Sequence, residues 1–352
     1  MPHHIVLGIE TSCDETAAAI VRHADGRGEI LASITAAQIS EHAPYGGVVP
    51  EIAARAHVER INPVVAEAMS QAGAGFNDID GFAATAGPGL IGGVLVGLAT
   101  AKAMALAQQK PLFAINHLEG HALTARLTDG VDFPYLALLI SGGHTQLIQV
   151  EELGCYRIIG TTLDDAAGEV FDKVAKFLRL DFPGGPALER LAANGNGERF
   201  DLPRPMLGKS GADFSFSGLK TATIRLANRL LQEQDGETLD ASTASDLAAS
   251  FQCAVIDCLA ERVAVAMEML APKGYSRFVL GGGVGANASV RERLDAVAQE
   301  WGFRLVAPPP SLCVDNGAMI AWAGAERLAR GWQDALDAPA RARWSLEQGA
   351  VT

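Results

Sequence analysis

The chain of 352 residues carries one arrangement of predicted elements twice. An apolar, β-rich stretch at 5–9 is followed by the polar turn 11–15 and a second apolar stretch at 17–21, which predicts a hairpin. The same arrangement returns at 136–140 and 146–150, where the two stretches are joined by the residues SGGH. A chain that repeats itself in this way is expected to fold by duplication.

Each half also contains a strand, a glycine turn and a helix. In the second half, Phe278–Leu280 predicts a buried strand, Gly281–Gly283 the turn, and 288–301 an amphipathic helix with apolar residues at helical spacing. In the first half, the uncharged segment 81–101 is long enough to cross a bilayer. Because it contains six glycines and Pro88, it favours a strand, a Gly-Pro-Gly turn and a helix over a membrane span.

These patterns predict an α/β fold with two lobes, 1–134 and 135–352, and a nucleotide cleft between them. Glycine turns beside strand ends present backbone N–H groups that bind phosphate oxygens, and two such turns favour a phosphate ligand. Helices are expected at 168–180 and 247–270 of the second lobe. The polar tail after Arg330 either packs loosely or crosses back over the first lobe, together with the last helix.

Composition limits the classes of function. The net charge is −13, from 28 Lys and Arg against 41 Asp and Glu, so nucleic acid would need a local basic patch or a partner's surface. The five cysteines form no CxxC pair, which disfavours a disulfide scaffold and a Cys-rich zinc site. The N-terminal sequence lacks a signal-peptide pattern, and a cytoplasmic location is expected.

The segment NHLEGHALTARL contains the most distinctive pair of side chains. His117 and His121 are four residues apart, so on a helix both imidazoles lie on one face, at the spacing of two ligands of one metal. The pattern is not HExxH, because Glu119 follows His117 by two residues. Asp315 is a candidate third ligand. The alternative, two surface histidines without a metal, stays open on this pattern alone.

Three further groups of polar residues are candidates for chemistry. The turn at Ser141 is either an ordinary hairpin turn or a set of N–H donors around an anion. Asp14 and Glu15, at the tip of the first hairpin, are either solvated or able to organise a metal's waters and accept a proton. Asp172 lies either on a solvated helix face or beside a ribose diol, whose hydroxyl groups it would bind.

Ten motifs in the same order connect the chain to a known family. They are GIETSCDETAAAIV, YGGVVPEIAARAHVERI, AATAGPGLIGGVLVGL, NHLEGHA, LLISGGHTQLI, DDAAGEVFDKVAKFL, PGGPALE, DFSFSGLKTA, LGGGVGANASVRERL and SLCVDNGAMIAWAG. On these motifs the chain resembles, over nearly its whole length, the universal tRNA threonylcarbamoyladenosine transferases. The resemblance implies the two-lobed fold of the actin, Hsp70 and sugar-kinase (ASKHA) superfamily, in agreement with the duplication.

The resemblance also implies an activity and its site. Such enzymes transfer the threonylcarbamoyl group from threonylcarbamoyl-adenylate to the N6 amine of adenosine 37, in tRNAs that read codons beginning with A. By motif match, His117, His121 and Asp315 are expected to bind one divalent metal. Iron(II) is the favoured metal and zinc is the alternative. The residues that match the adenylate-binding motifs are Ile140, Ser141, Gly142, Gly143, His144, Asp172, Gly185 and Asn287. Asp14 or Glu15 is our hypothesis for the group that accepts the proton of the amine.

The partners implied by the resemblance are the tRNA anticodon loop, a catalytically inactive paralogue of the same fold in a heterodimer, and a small P-loop ATPase. The basic residues that are candidates for tRNA contact are Arg55, Arg60, Lys209, Lys220 and Arg225.

Three rival functions each account for only part of the sequence. A metallopeptidase would rest on the histidine pair alone. A small-molecule kinase of the same fold would explain the glycine turns but not the histidines. An ATP-driven binding module in the manner of Hsp70 would need a further substrate-binding domain.

Overall fold

The computed structural model describes residues 3–348, which form two compact units. Within that range the first unit comprises 3–133, 150–157 and 311–348, and the second comprises 134–149 and 158–310.

The elements follow one another in chain order. Between residues 3 and 348 the strands are β1 (His4–Glu10), β2 (Glu15–Ala24), β3 (Arg27–Ala37), β4 (Gly81–Gly87), β5 (Leu112–Asn116), β6 (Tyr135–Ile140), β7 (Thr145–Glu152), β8 (Cys155–Thr161), β9 (Arg277–Gly281) and β10 (Arg304–Val306). The α-helices of the same range are α1 (Ile39–His42), α2 (Pro50–Ala72), α3 (Ile91–Gln108), α4 (His117–Asp129), α5 (Ala167–Phe177), α6 (Gly184–Ala192), α7 (Ser217–Glu233), α8 (Ala241–Leu270), α9 (Ala288–Glu300), α10 (Pro310–Cys313) and α11 (Gly317–Ala329).

Two five-stranded sheets have the same topology. The first has the order β3-β2-β1-β4-β5, and the second, taken from its other end, has the order β8-β7-β6-β9-β10. In each sheet the first strand of the half pairs in parallel with the fourth, and the fourth with the fifth. The predicted duplication and α/β fold class are confirmed, because strand order and direction agree between the halves.

The first hairpin has the predicted register. Strand β1 pairs antiparallel with β2, with Val6 opposite Val21 and Glu10 opposite Ala17. The pattern missed β3, which extends the hairpin on the other side of β2. The pattern also placed the start of α8 at Leu247, whereas the helix begins at Ala241 because the Asp240 carboxylate accepts the Thr243 N–H and caps it.

The uncharged segment 81–101 folds as a strand, a turn and a helix, as predicted. Helix α3 is long and apolar enough to cross a membrane by length and composition alone, as is the core helix of many globular proteins. Its glycines permit close packing on the turn after β1. A Cβ atom on Gly93 would lie 2.4 Å from the Thr11 carbonyl oxygen, and one on Gly97 would lie 2.3 Å from the Thr11 hydroxyl.

Side chains alternate between the two faces of the first sheet, and those of β1 and β2 are mostly buried on both faces. Leu7 and Ile20 pack under α2 and α3, whereas Val6 and Val21 pack under α4 and α11. Helix α11 lies very close to β1, since a Cβ atom on Gly8 would lie 2.2 Å from the Ala321 nitrogen. The second unit has its own core, built mainly from α5, α8, α9 and strands β6 and β9.

The two units differ from the predicted lobes 1–134 and 135–352 at residues 150–157 and at the C-terminus. Residues 311–348 belong to the first unit, because the apolar helix α11 buries its side chains against β1 and β2. The tail continues on the same unit, where Asp334 N–H donates to the Leu112 carbonyl and Arg341 N–H to the Ala86 carbonyl.

Candidate active site

Helix α4 places two histidines on one face at its first turn. Its N-cap is Asn116, whose side-chain oxygen accepts the Leu118 N–H at 2.9 Å, so the helix begins directly at His117. His117 and His121 are buried, and their ring centroids are 4.7 Å apart with the rings perpendicular. The predicted helix and the shared face of the two imidazoles are therefore found in the structure.

Asp315 completes the group from the other end of the first unit. It immediately precedes Asn316, the N-cap of α11, whose side chain accepts the Met319 N–H. An Asp315 carboxylate oxygen lies 3.0 Å from His121 Nε2 and 3.5 Å from His117 Nε2. One donor atom from each of the three residues lies within 4.8 Å of the others.

This donor set fits a divalent metal. Two imidazole nitrogens and one carboxylate oxygen match the two-histidine, one-carboxylate set of non-haem iron(II) sites, and zinc also accepts these ligands. Glu119 lies between the histidines in sequence but is engaged elsewhere, by the Arg327 guanidinium at 2.6 Å and the Tyr156 hydroxyl at 3.0 Å.

Carboxylates next to His117 control its charge. Burial alone lowers the pKa of His117, but the carboxylates of Asp315 and Glu10 outweigh it and raise the pKa to about 9. At neutral pH the imidazole therefore holds a second proton that a bound metal has to displace, and metal binding is expected to weaken as the pH falls.

The acidic turn, which we define as Cys13–Glu15, follows β1 and ends at Glu15, the first residue of β2. Burial, together with the nearby carboxylates of Asp315 and Asp14, raises the pKa of Glu15 to about 10. With this raised pKa, Glu15 is a neutral acid at pH 7, which donates rather than accepts a proton.

Hydrogen bonds from buried residues fix the backbone of the acidic turn. His57 Nε2 donates to the Cys13 carbonyl at 3.0 Å, so its Nδ1 accepts the Thr16 hydroxyl at 2.8 Å. The Gln38 N–H donates to the Asp14 carbonyl at 3.1 Å. These contacts fix the backbone of the turn in the same unit as the histidines.

In the second unit, the SGGH turn between β6 and β7 is well defined. Ser141 N–H donates to the His144 carbonyl at 2.8 Å, and His144 N–H donates to the Ser141 hydroxyl at 3.1 Å. Nothing lies within 4 Å of where a Cβ atom would stand on Gly142 or Gly143, so this side of the turn is open. An open turn of this type has room for an anionic group.

Two other elements pack against this turn. The Gly168 N–H at the start of α5 donates to the Ser141 carbonyl at 3.2 Å. Gly282 has a positive φ of 85°, and a Cβ atom on it would lie 2.4 Å from the Ile140 carbonyl oxygen. The β6–β7 turn, the start of α5 and the turn after β9 therefore meet.

The remaining candidates in the second unit form two groups. Asp172 accepts the Gly185 N–H at 3.2 Å, which brings these two residues together. Asn287 is the buried N-cap of α9, where it accepts the Val290 N–H and donates to the Gln252 side chain. The start of α9 contacts α6, the helix of Gly185, because the Ala288 N–H donates to the Glu189 carboxylate at 2.8 Å.

Comparison with known proteins decides the family. The family model described as TsaD, tRNA N6-adenosine threonylcarbamoyltransferase, matches residues 29–322. The chain belongs to this family. It is 57% identical to the tRNA N6-adenosine threonylcarbamoyltransferase of Agrobacterium fabrum over 356 aligned residues, covering 99% of this chain and 95% of the relative. The enzyme of the same name from Nitrobacter hamburgensis is 56% identical over 349 residues, covering 98% and 96%.

Membership of the tRNA N6-adenosine threonylcarbamoyltransferase family makes the chain a transferase of tRNA modification. It favours neither the kinase, which was suggested by the fold, nor the metallopeptidase, which was suggested by the histidine pair.

Solved structures agree with the fold. Full-length HypF in a phosphate- and nucleotide-bound form matches with a TM-score of 0.57 and 13% identity, over 92% of this chain and 46% of that one. HypF of T. kodakarensis matches with a TM-score of 0.57 and 14% identity, over 93% and 48%. At this identity the likeness shows the fold alone, and it is consistent with the ASKHA class.

Sequence patterns missed the residues that support the histidines. Glu10 lies beside His117, and Arg327 pairs with Glu119, but these partners are 107 and 208 positions apart in sequence. One signal was available for Glu10, since it is an acidic residue that ends the apolar strand β1. Arg327 gave no comparable signal.

Proposed function

We propose that this chain transfers the threonylcarbamoyl group of threonylcarbamoyl-adenylate to the N6 amine of adenosine 37 in tRNAs that read codons beginning with A, and releases AMP. The observation that carries the proposal is the 57% identity over 99% of the chain to an enzyme of that name. The cluster of His117, His121 and Asp315 supports the proposal, because it supplies a candidate metal site for this reaction.

The reaction needs positioning more than it needs a strong nucleophile. The donor is a mixed carbamoyl–phosphate anhydride, so AMP leaves readily once the carbonyl is attacked. The N6 amine is weakly nucleophilic, because its lone pair is conjugated with the adenine ring. A site that holds the amine and the carbonyl in contact therefore supplies much of the rate.

We propose that His117, His121 and Asp315 hold one divalent metal, for which iron(II) is favoured over zinc. Its positive charge, when it is bound, polarises the carbonyl or phosphate oxygens of the donor. The three side chains, at the N-terminal ends of α4 and α11, would fix the position of that charge. Because helix N-termini repel cations, the buried carboxylate of Glu10, 3.0 Å from His117 Nδ1, helps to offset that repulsion.

We propose that the second unit binds the adenylate. Ile140–His144 supplies the open turn for the phosphate, with Gly142 and Gly143 leaving room for its oxygens. Asp172 accepts hydrogen bonds from the ribose hydroxyl groups, close to Gly185, and Asn287 contributes from the start of α9.

Asp14 or Glu15 is proposed to take the proton that the N6 amine loses. Because its raised pKa makes Glu15 a neutral acid, Glu15 can accept this proton only after a nearby cation lowers that pKa. The variants Asp14→Asn and Glu15→Gln test each residue separately, and the double variant tests both. The variant that lacks the proton acceptor should transfer the threonylcarbamoyl group from purified adenylate about 100-fold or more slowly in a single turnover. Unchanged transfer by the double variant would remove both residues from the mechanism.

tRNA and protein partners complete the proposal. An anticodon loop is single-stranded, so its base can be turned out at modest cost. Of the basic candidates, Arg60 and Lys220 form ion pairs with Glu41 and Asp165, while Arg55, Lys209 and Arg225 are exposed.

Because the chain carries a charge of −13, we propose that a paralogue of the same fold, in a heterodimer, and a P-loop ATPase contribute to tRNA binding in the cytoplasm.

The test is an assay of the product nucleoside by mass spectrometry. Purified chain, paralogue, ATPase, tRNA and enzymatically made threonylcarbamoyl-adenylate are incubated, with each protein omitted in turn. His117→Ala and His121→Ala should each lower product formation by about 100-fold or more, whereas His3→Ala, at an exposed histidine outside the site, should not. Product formation unaffected by either His117→Ala or His121→Ala would contradict the metal site.

A further inference from the structure

Glu10 is a fully buried carboxylate with three polar neighbours. It ends β1 with 0% of its surface exposed. One carboxylate oxygen accepts the Ser12 N–H at 2.5 Å, and the other accepts the Thr85 hydroxyl at 2.5 Å. The second oxygen also lies 3.0 Å from His117 Nδ1. A buried anion needs such partners, and His117 is the ionisable one among them.

The sheet fixes this geometry. Strands β1 and β4 are parallel neighbours, with Ile9 paired to Ala84, so Glu10 and Thr85 follow side by side at the ends of these strands. The Ser12 N–H comes from the turn that follows. Glu10 is therefore held beside His117 by the Ser12 N–H and the Thr85 hydroxyl.

The contact determines which nitrogen of His117 is available. An ionised carboxylate only accepts hydrogen bonds, so the Nδ1 atom that faces Glu10 carries a hydrogen. The other nitrogen, Nε2, is the atom that faces Asp315. A carboxylate on the far nitrogen both orients an imidazole and makes its free nitrogen a better metal ligand.

His121 differs from His117 in this respect. Its Nε2 faces Asp315 in the same way, but its Nδ1 is buried and has no hydrogen-bond partner among the described residues. Only one imidazole of the pair is thus oriented by a carboxylate.

We infer that Glu10 is a positioning residue for the proposed metal site, acting through the Nδ1 hydrogen of His117 to present Nε2 as the ligand atom. The inference rests on the metal site of the proposed function. It gives a role to Glu10, the first acidic residue of GIETSCDET, which takes no part in the reaction itself.

The variant Glu10→Gln tests it on the full chain. The backbone N–H of Ser12 and the Thr85 hydroxyl still need acceptors, and if the Gln oxygen faces Ser12, its NH₂ group faces His117 Nδ1. That arrangement favours the hydrogen on Nε2, the ligand atom, because another neighbour of Nδ1, the Ser12 hydroxyl at 3.2 Å, is a weaker acceptor than a carboxylate and can itself donate. Zinc affinity, measured against pH by competition with a chromogenic chelator and extrapolated to high pH, where protons no longer compete for His117, should fall by about 10- to 100-fold.

The matched control is Glu326→Gln. Glu326 is also buried and also loses a charge in the change, but it pairs with Arg126 and Arg330 instead of a histidine. Its zinc affinity should stay close to that of the wild type. Equal affinity of Glu10→Gln and wild type would overturn the inference alone, whereas no zinc binding by the wild type would overturn the metal site with it.

A second measurement needs no variant and guards against misfolding. In zinc-loaded wild-type protein labelled with ¹⁵N-histidine, nuclear magnetic resonance should show the His117 hydrogen on Nδ1 and zinc on Nε2. Zinc on Nδ1, or a hydrogen on Nε2, would contradict the role of Glu10.

Discussion

At the scale of single residues, burial decides which polar groups can titrate. His57 lies behind the acidic turn, fully buried between the Thr16 hydroxyl, Gln38 and the Cys13 carbonyl. Burial lowers the pKa of His57, against weaker effects of the Cys13 carbonyl and nearby carboxylates that raise it. The folded protein therefore keeps this imidazole neutral at pH values where the unfolded chain protonates it.

This environment predicts a pH dependence of stability. Below the unfolded pKa of about 6.5 the unfolded state binds a proton that folded His57 resists. The stability due to neutral His57 is present above that pH and is lost as the pH falls, by at most about 1.4 kcal/mol per pH unit. In His57→Gln, urea unfolding should show a smaller loss of stability between pH 7 and pH 5.5 than in the wild type. An equal or larger loss would contradict the assignment.

The same scale shows what sequence can and cannot predict about the site. The spacing of His117 and His121 was sufficient to predict one shared helix face, because helical geometry is local. Asp315 and Glu10 join them from positions about 200 and 100 residues away. Local patterns carry no information on such contacts, and the family motifs supplied Asp315 but gave no role to Glu10.

At the scale of elements, capping and close packing place the ligands. Asn116 and Asn316 cap α4 and α11, and each is adjacent in sequence to a metal-ligand candidate. The two helices pack against each other on one face of the first sheet. Glycines on the sheet and on α11 set how closely this layer approaches, which fixes where His117 and Asp315 meet.

Gly8→Val should therefore disrupt the first unit. Its Cβ atom would lie 2.2 Å from the Ala321 nitrogen and 2.6 Å from the Ala321 Cα atom, and backbone atoms cannot rotate away. We expect a loss of more than about 3 kcal/mol in the free energy of unfolding, measured by urea denaturation.

The control is Gly47→Val, where nothing lies within 4 Å of the added Cβ atom. It should change stability by less than about 0.5 kcal/mol. A Gly8→Val protein as stable as the control would show that α11 can move away from β1 at little cost.

At the scale of the whole molecule, duplication was the strongest prediction from sequence. Hairpins and glycine turns recur with the same order in both halves, and the sheets repeat one strand order. The assignment of residues 311–348 to the first unit was not fixed by these patterns. An apolar helix such as α11 can cover either sheet, and its glycine fit to β1 and β2 appears only in three dimensions.

The most direct test of the transferase function is the nucleoside composition of tRNA in a bacterium whose own threonylcarbamoyltransferase gene is replaced by the gene for this chain. Mass spectrometry of digested tRNA should detect threonylcarbamoyladenosine with the wild-type chain and lose it with His121→Ala expressed at the same level. Absence of the modified nucleoside with the wild-type chain, in cells where a family relative restores it, would contradict the proposed function.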